Sequence, residues 1–271
     1  MIKQAIIPLA GLGTRLLPLT SVFAKELLPI NGKPGLEYII EECIDAGIEE
    51  IIFIISKKKK MIKKYFYNDK FYKDIIKKKK DLRIIEEYKK ILRYRKKIKF
   101  VYQNKPRGTG DAVLKTKKFI KNKYFMMLLP DDLIIKKNCS ISMIKSHNIH
   151  KASIMASMSV NKKTVSRWGI FDIEKRLNKI DHLIKGVVEK PSYKKAPSNK
   201  AVIGRYILPK SIFLKLSKMK AGKGGEIHIT DAIQLLINEN EKFIAHNFLG
   251  KYLDCGTMKG YINSSKEISK L

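Results

Sequence analysis

Several things are scarce in this chain. No apolar run approaches the roughly 20 residues that a membrane span needs, and the amino terminus, 1-MIKQAIIPLA-10, runs straight into a strand-like pattern without a small-residue cleavage site. Neither a membrane anchor nor a secretory leader is expected, and the protein reads as cytoplasmic. Cys43, Cys139 and Cys255 are far apart, odd in number and free of CxxC spacing. That excludes a disulfide framework and a cysteine-based zinc site. The five histidines form no metal-ligand pattern. His147 and His150 lie three apart on a helix-like stretch with no third ligand nearby, and read as structural. Acidic residues are scarce too: 25 Asp and Glu against 57 Lys and Arg leave a net charge of +32.

An excess of that size raises the question of a polyanionic partner, since lysine and arginine neutralise phosphate backbones. The excess is instead spread over helix faces and loops, in a chain crowded with Lys, Ile and Asn. Runs such as 57-KKKK-60 and 77-KKKK-80 lack aromatics placed for base stacking. Compositional drift is the better account, and nucleic acid is not an expected partner. The field would still concentrate small anions.

What is present is a βα alternation. Residues 2–8 and 50–56 are continuous apolar runs, as expected of strands buried on both faces. Between them 35-GLEYIIEECIDAG-47 sets Leu36, Ile39, Ile40, Cys43 and Ile44 on one helical stripe. Further strands are expected at 98–103, 124–129, 152–160, 185–189 and 201–208, and helices at 111–121, 209–217, 229–240 and 258–269. The expected fold is α/β: a Rossmann-like, mostly parallel mixed sheet flanked by helices. No repeat or Gly/Ser/Pro linker divides residues 1–271, so one domain is expected, with a basic, mostly helical insertion at about 57–97.

In open α/β sheets, ligands bind beyond the carboxyl ends of the strands. Four loops stand there. In 9-LAGLGTRLLP-18, Gly11 and Gly13 let backbone N–H groups approach a ligand, but the third glycine of a dinucleotide fingerprint and the GK[ST] of a P-loop are both missing. With Arg15 and Lys25 close by, a polyphosphate is the better reading. In 103-QNKPRGTGDAV-113, Gln103 offers an amide for a base edge and Gly108 room for the base. In 125-FMMLLPDDL-133, Asp131 and Asp132 end an apolar strand, an arrangement that suits Mg²⁺, with a turn cap as the ordinary alternative. In 252-YLDCG-256, Asp254 is a second strand-terminal carboxylate, and sequence alone does not show that it meets Asp131. Glu189 with Lys190, and Trp168 with Gly169, are weaker candidates for a sugar phosphate, since an exposed Glu-Lys pair is ordinarily solvated surface.

Together these stretches, with 25-KELLPINGKP-34, 196-APSNKAVIGRYIL-208 and 225-GEIHITDAI-233, resemble the sugar-1-phosphate nucleotidyltransferases over nearly the whole chain. The run 196–206 and the long segment before Gln103 resemble the uridylyl branch more than the thymidylyl one. The resemblance implies UTP and glucose 1-phosphate as substrates, Mg²⁺ as cofactor and a homo-oligomer. It assigns Leu9, Ala10, Gly11, Gly13, Thr14 and Arg15 to the nucleotide, and Gln103 and Gly108 to the uracil. Arg15, Lys25 and Lys190 become catalytic, and Asp131 and Asp254 metal ligands. Asp132, Gly169, Glu189, Lys190, Gly204 and Glu226 fall to the sugar phosphate. Two departures stand out. Ala24 replaces a usual proline before Lys25, and Asp111 a common histidine, placing a carboxylate near the expected phosphates.

Overall fold

The computed structural model describes residues 2–222 and 225–271. Its centre is a nine-stranded sheet in which residues 98–102, 50–55, 4–8, 124–128, 200–209, 153–159, 243–247, 181–189 and 169–176 follow one another from edge to edge. The first four are β1 (Gln4–Pro8), β4 (Glu50–Ile55), β5 (Ile98–Tyr102) and β6 (Tyr124–Leu128), all parallel to one another. The alternation in β4 explains its unbroken apolar run. Ile51, Phe53 and Ile55 face one core, while Ile52 and Ile54 face the other. Helix α1 (Gly35–Asp45) covers the first face and α5 (Gly108–Leu114) the second. Two short strands, β2 (Pro29–Ile30) and β3 (Lys33–Pro34), form a separate hairpin ahead of α1.

The other half of the sheet departs from the parallel expectation. Strand β11 (Lys200–Pro209) runs antiparallel to both β6 and β8 (Ser153–Ser159), and β8 runs parallel to β12 (Phe243–Asn247). Strand β10 (Asp181–Glu189) is antiparallel to β12 and to β9 (Gly169–Arg176). For β9 and β10 the reason is local. A tight turn joins β9 to β10, with the Asn178 side chain accepting from the N–H groups of Ile180 and Asp181. So short a connection cannot make the crossover that parallel strands need. Strand β9 was absent from the sequence pattern, and β10 is longer than expected.

The segment at 57–97 forms α2 (Lys60–Tyr67), α3 (Asp69–Lys79) and α4 (Leu82–Lys97). Its weak apolar periodicity has a physical counterpart: α2 buries Ile62 and Phe66, α4 buries Ile91 and Tyr94, and α3 buries nothing. Tyr65 and Lys90 reach Glu37 of α1, and Tyr94 donates to Glu41 at 2.8 Å. Helix α5 is shorter than expected because i→i+3 turns take over after Leu114. The remaining elements are β7 (Asp132–Ile135), α6 (Cys139–His150), α7 (Ile212–Lys218), α8 (Ile229–Asn238), β13 (Lys251–Asp254) and α9 (Met258–Ile268). Among the described residues, no helix is long and apolar enough to cross a membrane.

His147, His150 and His246 serve packing. Asp181, 2% exposed, accepts from His246 Nδ1 at 2.6 Å, Ser146 Oγ at 2.9 Å, Asn178 Nδ2 at 2.9 Å and His150 Nε2 at 3.1 Å. Burial alone would raise its pKa, but these hydrogen bonds outweigh it and hold the carboxyl well below its ordinary range. A group with a depressed folded pKa stabilises above its unfolded value of about 3.9, and that contribution fades as pH falls further. Asp181→Asn is therefore expected to cost about 1.5–3 kcal/mol in urea denaturation at neutral pH. The gap to wild type should narrow from pH 4 to pH 3; a gap that stays constant would contradict this account.

Candidate active site

The four parallel strands end on one side of the sheet, and the loops that follow β1, β5 and β6 line, with Glu226 and His228, a cavity of about 340 Å³. Ala10, Gly11, Arg15, Lys25, Gln103, Gly108, Asp131 and Glu226 all line it. Leu9 is buried in the core beneath, its N–H bonded to Ile54 O. Gly13 turns with φ +71° into a short 3₁₀ turn at Thr14–Leu16, and packs against the Lys25 stem. The opening loop thus brings Arg15 and Lys25 to one cavity wall.

The opposite wall is built by pairing two loops. Gly110 N donates to Ile227 O, and Ile227 N to Arg107 O, each at 2.8 Å. A Cβ at Gly108 would lie 2.5 Å from Ile227 O, and its φ of +89° also suits glycine alone. This bridging carries Glu226 and His228 into the cavity. Glu226, expected among the sugar contacts, thus stands beside Gly108.

Gln103 is fixed from within. Its Nε2 donates to Gly108 O at 3.1 Å and to Asp111 Oδ2 at 2.8 Å, so its Oε1 is the group left to accept from a ligand. Asp111 is buried, and Lys115 Nζ approaches its other oxygen at 3.4 Å. Its carboxylate is occupied by protein partners and offset by a lysine.

Asp131 is the electrostatic centre. Lys25 Nζ donates to its Oδ2 at 2.7 Å, and Arg15 Nη2 stands 3.9 Å away. Burial would raise the Asp131 pKa, yet the Lys25 charge and hydrogen bond keep it below the ordinary value. Asp132 behaves oppositely. Burial and then repulsion from Asp131 push it up to about 6. Both its oxygens are engaged, by Tyr252 Oη at 2.7 Å and Gly204 N at 2.8 Å, so it braces the site from below.

Behind these carboxylates lies Arg205, fully buried, with all five N–H groups used. It binds Glu42 on α1 through Nε and Nη2, the carbonyls of Leu129 and Gly204 through Nη1, and that of Asp132 through Nη2. Ser140 Oγ completes Glu42 at 2.6 Å. The turn bearing Asp131 is therefore fastened on both sides.

Asp254 and Asp131, separated by more than a hundred residues in sequence, do meet. Strands β13 and β7 pair Asp254 opposite Asp132, and Cys255 N donates to Asp131 O at 2.7 Å. A Cβ built on Gly256 would lie 3.0 Å from Asp131 Oδ2, 3.2 Å from Asp254 Oδ1 and 3.5 Å from Arg15 Nη2. Glycine keeps that space between two carboxylates clear, which is where a hard cation with oxygen ligands would fit. No cluster of three or more His, Cys, Asp or Glu suited to a metal occurs among the described residues, so any cation here would complete its shell from substrate and water.

The sugar-side candidates stand further along the sheet. Gly169 pairs with Glu189 across β9 and β10, and a Cβ on it would sit 3.1 Å from Glu189 Oε2 and 3.4 Å from Val202 of β11. Lys190 takes φ +46°, its N–H donates to Trp168 O at 3.0 Å, and its Nζ lies 3.6 Å from Glu189. These residues do not line the Lys25 cavity; β11 connects them to it, through Val202 and then Gly204 on Asp132. Sequence reasoning missed Glu26 and His228 in the cavity, and Lys59 behind it. Glu26 and His228 sat inside quoted motifs, whereas Lys59 was hidden in a charge run.

An α/β sheet with a cation-walled cavity at its strand ends defines a protein built to hold a phosphorylated ligand. The family model for nucleotidyl transferases matches residues 4–270, and the chain belongs to that family. It is 38% identical over 265 residues to UTP–glucose-1-phosphate uridylyltransferase 1 of Staphylococcus saprophyticus, covering 97% of this chain and 91% of the relative. Identity to the UTP–glucose-1-phosphate uridylyltransferase of Bacillus subtilis is 37% over 270 residues, covering 99% and 91%. Among solved structures, UDP-glucose pyrophosphorylase complexed with UDP-glucose superposes with a TM-score of 0.86 at 36% identity, covering 100% of this chain and 99% of the other. UTP-bound UGPase from Acinetobacter baumannii gives 0.90 at 32% identity, with 99% and 93% covered.

Removing one partner of a buried ion pair strands the other charge and costs about 3–5 kcal/mol. Arg205→Met is expected to lose that much in urea denaturation, and Glu42→Leu added to it should return a large part. A loss under about 1 kcal/mol for Arg205→Met would show that the network does not hold this region together.

Proposed function

We propose that this protein transfers a uridylyl group from UTP to α-D-glucose 1-phosphate, releasing pyrophosphate and forming UDP-glucose. The observation that carries this reading is the convergence of Lys25, Arg15, Asp131 and Asp254 at the strand ends, facing the Gln103–Gly108 wall. The names of the relatives agree with it.

The uracil lies against the Gly108 backbone, where Gln103 Oε1 accepts from the N3–H of the base. Cytosine has no proton at that nitrogen, so CTP is disfavoured. Backbone N–H groups of the 10–15 loop and the Arg15 guanidinium hold the β- and γ-phosphates. Lys190 holds the phosphate of the sugar, and Glu189 accepts from glucose hydroxyls. A phosphate oxygen of glucose 1-phosphate attacks the α-phosphorus, the bond to the β-phosphate oxygen breaks on the far side, and pyrophosphate leaves. Lys25 offsets charge that builds on the α-phosphate oxygens. Asp131 and Asp254 are suited to hold a divalent cation, Mg²⁺, which would neutralise phosphate charge when bound. No covalent enzyme intermediate is required, since alignment of two bound reactants supplies much of the acceleration.

Pyrophosphate release with glucose 1-phosphate and UTP, dTTP or CTP in parallel tests the assignment. UTP should be preferred; a dTTP preference would move the protein to a thymidylyl specificity. Lys25→Ala and Asp131→Asn are each expected to lower kcat by about a hundred- to a thousandfold in protein that still folds cooperatively in a thermal melt. Near-normal rates in both would refute the mechanism. Gly256→Ala should raise the Mg²⁺ concentration for half-maximal rate by roughly tenfold or more, because its methyl fills the space between the carboxylates. An unchanged Mg²⁺ dependence would place the metal elsewhere.

A further inference from the structure

The run 57-KKKK-60 reads as solvated charge, and three of its four lysines are exposed. Lys59 is not. It is 6% exposed, and its Nζ donates to both oxygens of Glu26, at 2.7 and 2.8 Å; Glu26 itself is 3% exposed. Two residues on, Met61 Sδ accepts the Ala24 N–H at 3.1 Å. Both contacts land on the loop that carries Lys25, one on the residue before it and one on the residue after.

We infer that the first turn after β4 clamps the Lys25 loop, and that Lys59, by occupying Glu26, is a positioning residue that keeps the Lys25 ammonium available to the phosphates. The inference rests on the reading of Lys25 given above.

Two cations divide two carboxylates here. Lys25 stands between Asp131, which it meets at 2.7 Å, and the neighbouring Glu26, whose charge also attracts it. A buried carboxylate without a partner is costly and captures the nearest cation. Lys59 fills both Glu26 oxygens, so Lys25 is directed across the cavity to the Asp131 side. The four groups then balance, two ammonium groups against two carboxylates. Without Lys59 the same wall, which Glu26 helps to line, carries an uncompensated negative charge toward an anionic substrate. The second contact works on the backbone. Ala24 has φ −67°, the value a proline ring imposes, so the Met61 hydrogen bond holds by contact a conformation that proline would fix covalently.

The test measures kcat, KM for both substrates and thermal melts for Lys59→Gln, for Glu26→Gln/Lys59→Gln and, in parallel, for Lys25→Ala. Lys59→Gln should lower kcat by about tenfold to a hundredfold, the cost of misplacing a reacting group, with KM values moving far less. The double variant, which removes the stranded carboxylate as well, should recover most of that loss; a purely structural role would leave kcat per folded molecule unchanged in both. Normal kcat in Lys59→Gln beside a crippled Lys25→Ala overturns the clamp and leaves the Lys25 reading intact. Normal kcat in Lys25→Ala overturns that reading and the clamp with it. A folded double variant as slow as Lys59→Gln also overturns it. Should Lys59→Gln not fold, Met61→Ala with and without Ala24→Pro decides. The clamp requires a fall in kcat that proline reverses, and an unchanged kcat refutes it.

Discussion

A guanidinium buried with every N–H satisfied organises the centre of this molecule. Arg205 reaches from β11 to Glu42 on α1 and to carbonyls on either side of the Asp131 turn, so helix, sheet and turn share one hydrogen-bond network. A charge this deep is tolerable only because its partner is a carboxylate and the remaining donors meet carbonyls. The consequence is geometric. The chain leaving β6 cannot shift without breaking bonds to a buried cation, and so Asp131 faces the cavity while Asp132 is turned inward onto Tyr252 and Gly204.

That orientation separates two adjacent, chemically identical residues. Asp131 keeps its charge because Lys25 outweighs its burial, whereas burial and the neighbouring charge push Asp132 toward neutrality. One aspartate is left lining the cavity, and the other braces the turn. The same economy appears around Lys25, where Lys59 takes Glu26 and Asp131 faces the ligand space. A protein with +32 overall charge still needs its few carboxylates assigned one by one at the site. General excess charge attracts anions, but only local pairing decides which lysine is free to meet them.

Much of this was legible before the structure. The unbroken Ile-rich runs identified β1 and β4 as strands covered on both faces, and the rule that ligands sit at strand ends directed attention to Gly11, Arg15, Gln103 and Asp131. The antiparallel half was less legible. Strand β9 alternates with many polar residues near its end and pairs through a hairpin whose turn is set by one asparagine. Lys59 was illegible for a different reason: nothing in a run of four lysines distinguishes the one that points inward. The position of Glu226 beside Gly108 was likewise illegible, because the bridging of residues 107–110 with 227 is a long-range pairing without a local signature.

Local chemistry is what the sequence by itself determined: which residues form strands and helices, where glycines let backbone come close to a neighbour, and which loops carry Arg15, Lys25 and strand-terminal aspartates. Those features depend on periodicity and residue type over short spans. Tertiary structure decided the partnerships: Asp131 with Asp254 around the space kept by Gly256, Glu26 with Lys59, and Glu42 with Arg205. Each joins groups far apart in the chain, and each charge has several candidate partners of the right sign. Only packing of the sheet, which sets distance and burial together, selects among them.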